Sequence, residues 1–390
     1  MTAAVQDQTA ATDAERLARA YLLRVAEPPA PALLAFVGEH GPIEAARRVR
    51  AAECPERVRR ETAARRETVA AERDLEQADK SGARLVTPED HEWPAWPLLS
   101  LAVATGRGVQ NVAAPLALWV RGPANLAETA DRAVAIVGAR LATDYGLHNA
   151  LEFAHALAVR QVPVFSGAAM GIDAAAHRGA LSGDGATVAL LGCAVDLAYP
   201  SGHADLLKRI VDSGGAVVSE YAPGTPPARH RFLVRNRLIA GLTDGTVVVE
   251  AGVRSGARNT ATTAGALGKA VMALPGPAHS GNSAGCHALI RDCKATLVTT
   301  ADEVLETVGR FGIAEAESET PRRPTDHLGP EALRVYEALV PRAGRTPEEV
   351  AEDAGVPVTR VRALLPELEI DGFAVRGDTG WRRIVRTAAR

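Results

Sequence analysis

Glycine, serine, threonine and arginine recur directly after the apolar runs of this 390-residue chain. These residue types suit anion binding, because glycine exposes backbone N–H groups to a ligand, hydroxyls donate hydrogen bonds and a guanidinium binds phosphate bidentately. In the segment 162–181, a short apolar run leads through small residues into an Ala-rich helical stretch. A helix starting there directs unpaired N–H groups into the turn. The plainer alternative, a tight β-to-α turn with nothing bound, stays open for any one loop alone.

The candidate anion-binding residues fall in four stretches. They are Gly138 and Arg140; Ser166 and Gly167; Arg235, Asn236 and Arg237; and Ser255, Gly256 and Thr260. We expect Arg140, Arg235 and Arg237 to contact phosphates, because the arginines of the basic stretch 229–241 do not form a single solvent face of a helix. The Ser-Gly pairs should supply hydroxyl and backbone donors, with Asn236 and Thr260 as polar support. The alternative for each arginine is a structural role in binding backbone carbonyls.

Apolar runs alternate with helical stretches throughout residues 133–309, which predicts an α/β domain. The predicted strands are Ala133–Val137, Val162–Phe165, Ala186–Leu191, Ala216–Ser219, Thr246–Glu250, Ala270–Leu274 and Ala295–Val298, preceded by two short ones at Leu85–Thr87 and Leu118–Gly122. Continuously apolar strands separated by helices are typical of a Rossmann-like, doubly wound parallel sheet. Such sheets bind ligands at the carboxyl ends of their strands, which is where the candidate loops converge.

Breaks in composition divide the chain into four predicted segments. These are a small helical N-terminal domain in 1–80, the Rossmann-like domain with the candidate anion-binding loops in 81–309, a polar linker in 310–327 and a winged-helix domain in 328–390. Within the first, the charge-dense stretch 53–80 predicts one exposed helix. Within the last, the predicted third helix Val358–Ile370 is more acidic than basic, which favours protein contact or weak DNA contact over sequence-specific binding.

The overall composition limits the classes of function. The formal net charge is −3, so a nucleic-acid site must be a local basic patch, and the aromatic content of 4% favours phosphate contact over base stacking. We find no apolar run long enough for a membrane span, no signal-peptide pattern and no CxxC spacing among the four cysteines. We therefore expect a cytoplasmic protein without a membrane contact, a metal site or a disulfide framework.

Acidic residues near the predicted edge raise an enzymatic alternative. Glu220 and Glu250 end predicted strands and could form an acid–base pair. Asp173 and His177 are four residues apart, but we favour a helix-capping aspartate and a packed histidine, because no third metal ligand is visible nearby. Gly138 is not followed by a G-x-G-x-x-G spacing, and no P-loop is present, so no nucleotide cofactor is predicted.

These blocks together resemble the DNA-processing protein A family, also called DprA or Smf. The resemblance rests on the order and spacing of the stretches 134–140, 165–177, 187–200, 219–220, 232–242, 249–261 and 275–290. It implies a Rossmann-like protein that binds and protects incoming single-stranded DNA without catalysis. It also implies that the protein helps to load the recombinase RecA onto that DNA during natural transformation. The oligomeric state stays open, with a homodimer as one option.

Two departures from the family pattern concern the site. The family usually has arginine where this chain has Met170, so one expected cation is missing from the central loop. Arg258 occupies a position where an apolar residue is more usual, and we hypothesise that it restores the cation. The rival function is a nucleoside-monophosphate N-glycosidase of related fold, but the Pro-Gly-Gly-x-Gly-Thr loop and acidic residues of those enzymes do not occur in 251–256. We expect a protein that is not an enzyme.

Overall fold

The structure is a computed structural model that describes residues 11–309, 325 and 328–384. The chain forms two compact units, Met1–Ile313 and Ala314–Arg390. The predicted helical and Rossmann-like domains belong to the same unit, and the boundary between them stays a prediction. Most of the predicted linker, 310–327, lies outside the described residues.

The first unit begins with helices that pack on one another and on the sheet. They are α1 (Asp13–Val25), α2 (Pro31–His40), α3 (Pro42–Arg50), α4 (Glu56–Thr62) and α5 (Ala71–Lys80). The prediction of a single exposed helix over 53–80 is wrong, because the chain leaves the helical path between α4 and α5. Tertiary contacts hold that interruption: Arg65 pairs with Glu27, and the Tyr21 hydroxyl donates to the Arg66 carbonyl at 2.8 Å. These tertiary contacts override the local helix propensity of the segment between α4 and α5.

The described residues of the α/β part contain a nine-stranded sheet with the order β1-β2-β6-β5-β4-β3-β7-β8-β9. Its strands are β1 (Ala83–Val86), β2 (Leu118–Arg121), β3 (Val134–Val137), β4 (Val164–Ser166), β5 (Thr187–Leu190), β6 (Ala216–Ser219), β7 (Gly245–Val248), β8 (Ala270–Ala273) and β9 (Thr296–Leu297). All the predicted strands form. The last seven pair in parallel, whereas β1 and β2 join the sheet antiparallel beside β6.

Helices cover both faces of this sheet, so the predicted doubly wound, Rossmann-like architecture is confirmed. They are α6 (Ala95–Gly106), α7 (Leu126–Ala130), α8 (Asp144–Val159), α9 (Ile172–Ser182), α10 (Ala204–Asp212), α11 (Arg229–Gly241), α12 (Gly256–Ala266), α13 (Ala284–Arg291) and α14 (Ala301–Thr307). The alternation of β3 shows the two layers. Val134 and Ile136 join the core of α8 and α9, and Ala135 and Val137 join that of α11 and α12.

The strand order places a crevice at the carboxyl ends of β3 and β7. From β3 the chain adds β4, β5 and β6 on one side and then returns to add β7, β8 and β9 on the other. The loops that follow β3 and β7 therefore leave the sheet in opposite directions. A doubly wound sheet opens a ligand-sized gap at this reversal.

The second unit has the predicted winged-helix layout. Its elements are α15 (Pro330–Ala338), α16 (Pro347–Ala354), α17 (Val358–Ile370), β10 (Ala374–Gly377) and β11 (Gly380–Arg383). A capping box starts α16, in which the Thr346 hydroxyl accepts the Glu349 N–H and the Glu349 carboxylate accepts the Thr346 N–H. The helix ends at Gly355 in the left-handed conformation, with φ of 60°.

Candidate anion-binding groove

A groove of about 760 Å³ lies at the crevice between β3 and β7. Its walls come from three segments: residues 137–141 after β3, the first turns of α11, and the loop and helix start at 254–260. The convergence of these loops at one edge is what the sequence predicted. The groove therefore occupies the position at which doubly wound folds bind ligands.

Three exposed arginines line this groove: Arg140, Arg229 and Arg254. Among the residues that the structure describes, none of the three has a carboxylate within ion-pair distance, so their charges face the open space. Of these three arginines, only Arg140 was predicted from the sequence to contact phosphate. The other two lie at helix starts, a signal that could have identified them: Arg229 is the first residue of α11, and Arg254 precedes Ser255, the N-cap residue of α12.

Arg235 forms part of the groove floor and is only 5% exposed. Its Nη1 donates to the carbonyls of Gly167, at 2.8 Å, and Leu190, which ties together the ends of β4 and β5. A Cβ at Gly167 would collide with the guanidinium, so any larger residue there would have to displace the Arg235 side chain from these carbonyls. Burial lowers the pKa of Arg235, while the nearby Asp173 carboxylate opposes that shift. Arg235 thus has a structural role and also places a positive charge at the floor of the groove.

Arg237 lies in the interior, with its side chain 2% exposed and away from the groove lining. Its Nη2 donates to both carboxylate oxygens of Glu220, at 2.8 and 2.7 Å. This placement contradicts the expectation that Arg237 contacts phosphate. The residue instead has the structural role that was the open alternative for each arginine.

Ser166 is also internal: it is fully buried and its hydroxyl donates to the Ile136 carbonyl at 2.6 Å. The hydroxyl therefore braces β4 against β3, and the expected ligand donor role for Ser166 does not fit. Gly167 lies behind the Arg235 guanidinium and is likewise outside the groove lining.

The other nominated residues do come together in the groove wall: Gly138, Asn236, Ser255, Gly256 and Thr260 all line it. Ser255 is the N-cap of α12 and accepts the N–H of Arg258. Asn236 donates to the Asn259 side chain at 3.1 Å, linking α11 to α12. Gly138 allows close packing, because a Cβ there would strike the Ile172 side chain.

His177 is packed, as expected, but Asp173 does not cap its helix: the N-cap residue of α9 is Gly171, and no side chain caps this helix. The Asp173 carboxylate accepts the Gly167 N–H at 3.1 Å, and burial raises the pKa of this carboxyl against the opposing charge of Arg235. The His177 ring is within 2.8 Å of the Thr187 hydroxyl, and burial lowers its pKa to about 3, so it is neutral. Across the described residues there is no group of three or more side chains that could hold a metal ion.

Neither candidate carboxylate of the enzymatic alternative lines the groove. Glu220 is occupied by Arg237, and burial raises the pKa of its carboxyl. Glu250 accepts the hydroxyl of Thr143 at 2.6 Å and the Thr143 N–H at 3.0 Å, which fixes the start of α8. The two carboxylates therefore hold the fold around the groove.

The groove also contains an aromatic pair. The Tyr199 and Phe232 rings stack with centroids 5.1 Å apart, and the Arg140 guanidinium carbon lies 5.8 Å from the Phe232 centroid. Cation–π contact at this distance orients Arg140 over the aromatic surface. A cationic side chain and an aromatic surface are therefore adjacent in the groove.

The two departures from the family pattern lie near the groove. Met170 is 57% exposed and adjacent to Ala169, which lines the groove. The Arg258 Nη1 donates to the Val253 carbonyl at 2.5 Å, and Arg258 is not part of the lining. The hypothesis that Arg258 restores the missing cation does not fit this placement, and Arg254 is the groove cation of that loop.

Fold and site together define a Rossmann-like protein with an arginine-lined groove at its topological switch point. Residues 84–309 match the family described as DNA recombination-mediator protein A, and residues 319–378 match the DprA winged helix domain. The chain belongs to this DprA family of DNA-processing proteins.

Individual relatives agree with this assignment. A putative DNA processing protein DprA of Mycobacterium tuberculosis is 48% identical over 95% of this chain and 94% of its own length. Protein Smf of Escherichia coli is 37% identical over 70% of this chain and 72% of its own length. The crystal structure of DprA from Streptococcus pneumoniae superposes with a TM-score of 0.61 at 27% identity, covering 76% of this chain and 98% of that one. No helix within the described ranges is long and apolar enough to cross a bilayer.

Proposed function

We propose that the protein binds single-stranded DNA in the groove between β3 and β7. The observation that carries this proposal is the set of three exposed arginines, Arg140, Arg229 and Arg254, that line one groove without a carboxylate partner among the described residues. Arginine binds phosphate bidentately, and α12 directs its first N–H groups toward the same wall. The adjacent Tyr199 and Phe232 rings offer stacking to an unpaired base.

The wider role follows from the family resemblance. We propose that the bound strand is protected and handed to the recombinase RecA during natural transformation, in the cytoplasm, with the homodimer as the assembly to test first. We also propose that no reaction is catalysed at the groove, and that the N-glycosidase alternative fails. Glu220 and Glu250 are both engaged by protein partners outside the groove lining, which supports this. Nucleoside monophosphates incubated with the protein should release no free base.

The experiment is a binding titration of single-stranded DNA, duplex and mononucleotides against the parent and two matched variants. Arg140→Ala removes an exposed arginine after the carboxyl end of β3, and Arg132→Ala removes one before its amino end. We expect the first to weaken single-strand binding by about 1–3 kcal/mol and the second to leave it unchanged, because charge-assisted hydrogen bonds contribute in that range. Equal affinity of all three proteins would refute the groove as the site.

Salt dependence gives a second measure. Three phosphates neutralised on a single strand, at about −0.7 each, predict a slope of log K against log salt near −2 per protomer. Sequence should have little influence, since phosphate contacts carry no base information. Transfer to RecA is tested separately, by measuring whether the protein accelerates RecA filament formation on single strands, and a lack of acceleration would remove only that part of the proposal.

A further inference from the structure

Glu27, just beyond the end of α1, contacts the first turn of α11. Its Oε1 accepts from the Arg231 Nε at 2.7 Å and lies 3.1 Å from the His230 Nε2. Its Oε2 accepts from Arg65 at 2.7 Å. These partners lower the pKa of Glu27 to about 2, against the effect of its own half-burial, so the carboxylate stays charged.

A second contact from α1 holds the chain that leads into α11. The Arg24 guanidinium is paired with Asp74 at 2.6 Å and donates to the Pro223 carbonyl at 2.9 Å. Arg231 in turn donates to the Pro226 carbonyl at 2.6 Å. The N-terminal helices therefore fix both the approach to α11 and its first turn.

The first turn of α11 lacks two features that commonly stabilise the start of a helix. Its N-cap residue, Ala228, makes no side-chain cap, and this turn holds no acidic residue. Instead it contains Arg229, His230 and Arg231, and cations at a helix N-terminus oppose the helix dipole. The negative charge that this turn needs comes from Glu27, in another part of the fold.

The same turn supplies one wall of the groove. Arg229, Phe232 and Leu233 line the groove, and each is within four residues of the Arg231 side chain that Glu27 holds. A frayed first turn would displace all three. The position of this wall therefore depends on the N-terminal helices.

We propose that Glu27 is a positioning residue for DNA binding, through which the N-terminal helices hold the α11 wall of the groove in its binding geometry. The proposal rests on the proposed function, and it assigns the N-terminal helices a role other than contact with DNA.

Three variants test this proposal. A simple charge effect and a loss of positioning predict opposite changes in the affinity for DNA. Glu27→Gln removes a negative charge near the groove, so electrostatics alone would tighten DNA binding, whereas loss of positioning weakens it. Glu27→Asp keeps the charge but shortens the reach, and Glu44→Gln is the matched control, since Glu44 also pairs with two arginines but lies on α3. We expect single-strand affinity to fall about three- to tenfold for Glu27→Gln, comparable with loss of a helix-terminal charge and a charged hydrogen bond. We expect it to fall less for Glu27→Asp and to stay unchanged for Glu44→Gln.

Hydrogen exchange without DNA provides a readout independent of the proposed function. Amides of residues 231–234 should exchange faster in Glu27→Gln than in the parent or Glu44→Gln. Unchanged exchange at these amides, or binding by Glu27→Gln as tight as or tighter than the parent's, would overturn the proposal. If the parent itself binds no single strand, the proposed function fails, and faster exchange at these amides would still support the structural part of the inference.

Discussion

Replacing Arg237 with alanine distinguishes its interior placement from the DNA contact that its sequence context suggested. Arg237 and Glu220 are nearly fully buried, and the substitution leaves the Glu220 carboxylate without its cation. Removing one member of a buried ion pair costs about 3–5 kcal/mol of folding free energy. The Nε and Nη1 of Arg237 have no hydrogen-bond partner among the described residues, which reduces the net value of the pair. We therefore expect Arg237→Ala to lose folding free energy near the lower end of this range, about 3 kcal/mol.

The folding free energy lost in Arg237→Ala should depend on pH. Burial already raises the pKa of Glu220 in the parent, and removal of Arg237 takes away the charge that opposes the shift. A carboxyl with a raised folded-state pKa stabilises the fold below its unfolded pKa, and this stabilisation is lost as pH rises through the folded value. The deficit of Arg237→Ala relative to the parent should therefore be larger at about pH 8 than at about pH 5.

The assay combines urea unfolding, followed by tryptophan fluorescence, with single-strand titration of the folded protein. Arg237→Ala should unfold at lower urea yet bind DNA with parental affinity, and Arg140→Ala should show the opposite pattern. The double variant Arg237→Met with Glu220→Gln should recover most of the stability, since it leaves no buried charge. A folded Arg237→Ala protein with parental stability and weakened DNA binding would refute the reasoning.

Three further predictions concern the groove and the second unit. Met170→Arg adds a cation beside the groove wall and should steepen the salt slope by about 0.7, whereas the neutral control Met170→Gln should not. Deleting residues 328–390 should leave most single-strand affinity, because Arg360 and Arg362 on α17 are already paired with carboxylates, and a titration of the truncated chain checks this. Thr346→Ala removes the cap of α16 and should lower the stability of the winged-helix unit by about 1 kcal/mol, measured by thermal unfolding, with DNA binding unchanged.

The fold could be predicted from the sequence because its signals are local. Most strands of the parallel sheet lie in continuous apolar runs, and the run length and the helical stretch that follows decide the element type. The stretch 53–80 shows the limit of this reasoning. Its charge pattern suits a helix throughout, but contacts from Glu27 and Tyr21, distant in sequence, interrupt it.

The position of the groove was also predictable, but the identity of its cations was not. The apolar runs show where the parallel strands end, and the groove lies at the carboxyl ends of those strands. Exposure along α11 depends on what packs against each side: Arg229 is open, Arg235 lies in the floor and Arg237 faces Glu220. Helical spacing separates these positions, yet it does not show which of them faces a neighbouring carboxylate. That information comes from tertiary structure alone.

The length of the two edge strands of the large sheet affects how readily copies of the protein aggregate at high concentration. On one side β9 has only two residues, and on the other β1 is four residues long and packed by α5. An exposed, long strand edge is a template for pairing with another chain, and both edge strands here are short. If copies gather on one DNA strand, as the proposed function implies, their local concentration is high, and short edge strands then offer few backbone groups for aggregation by strand addition.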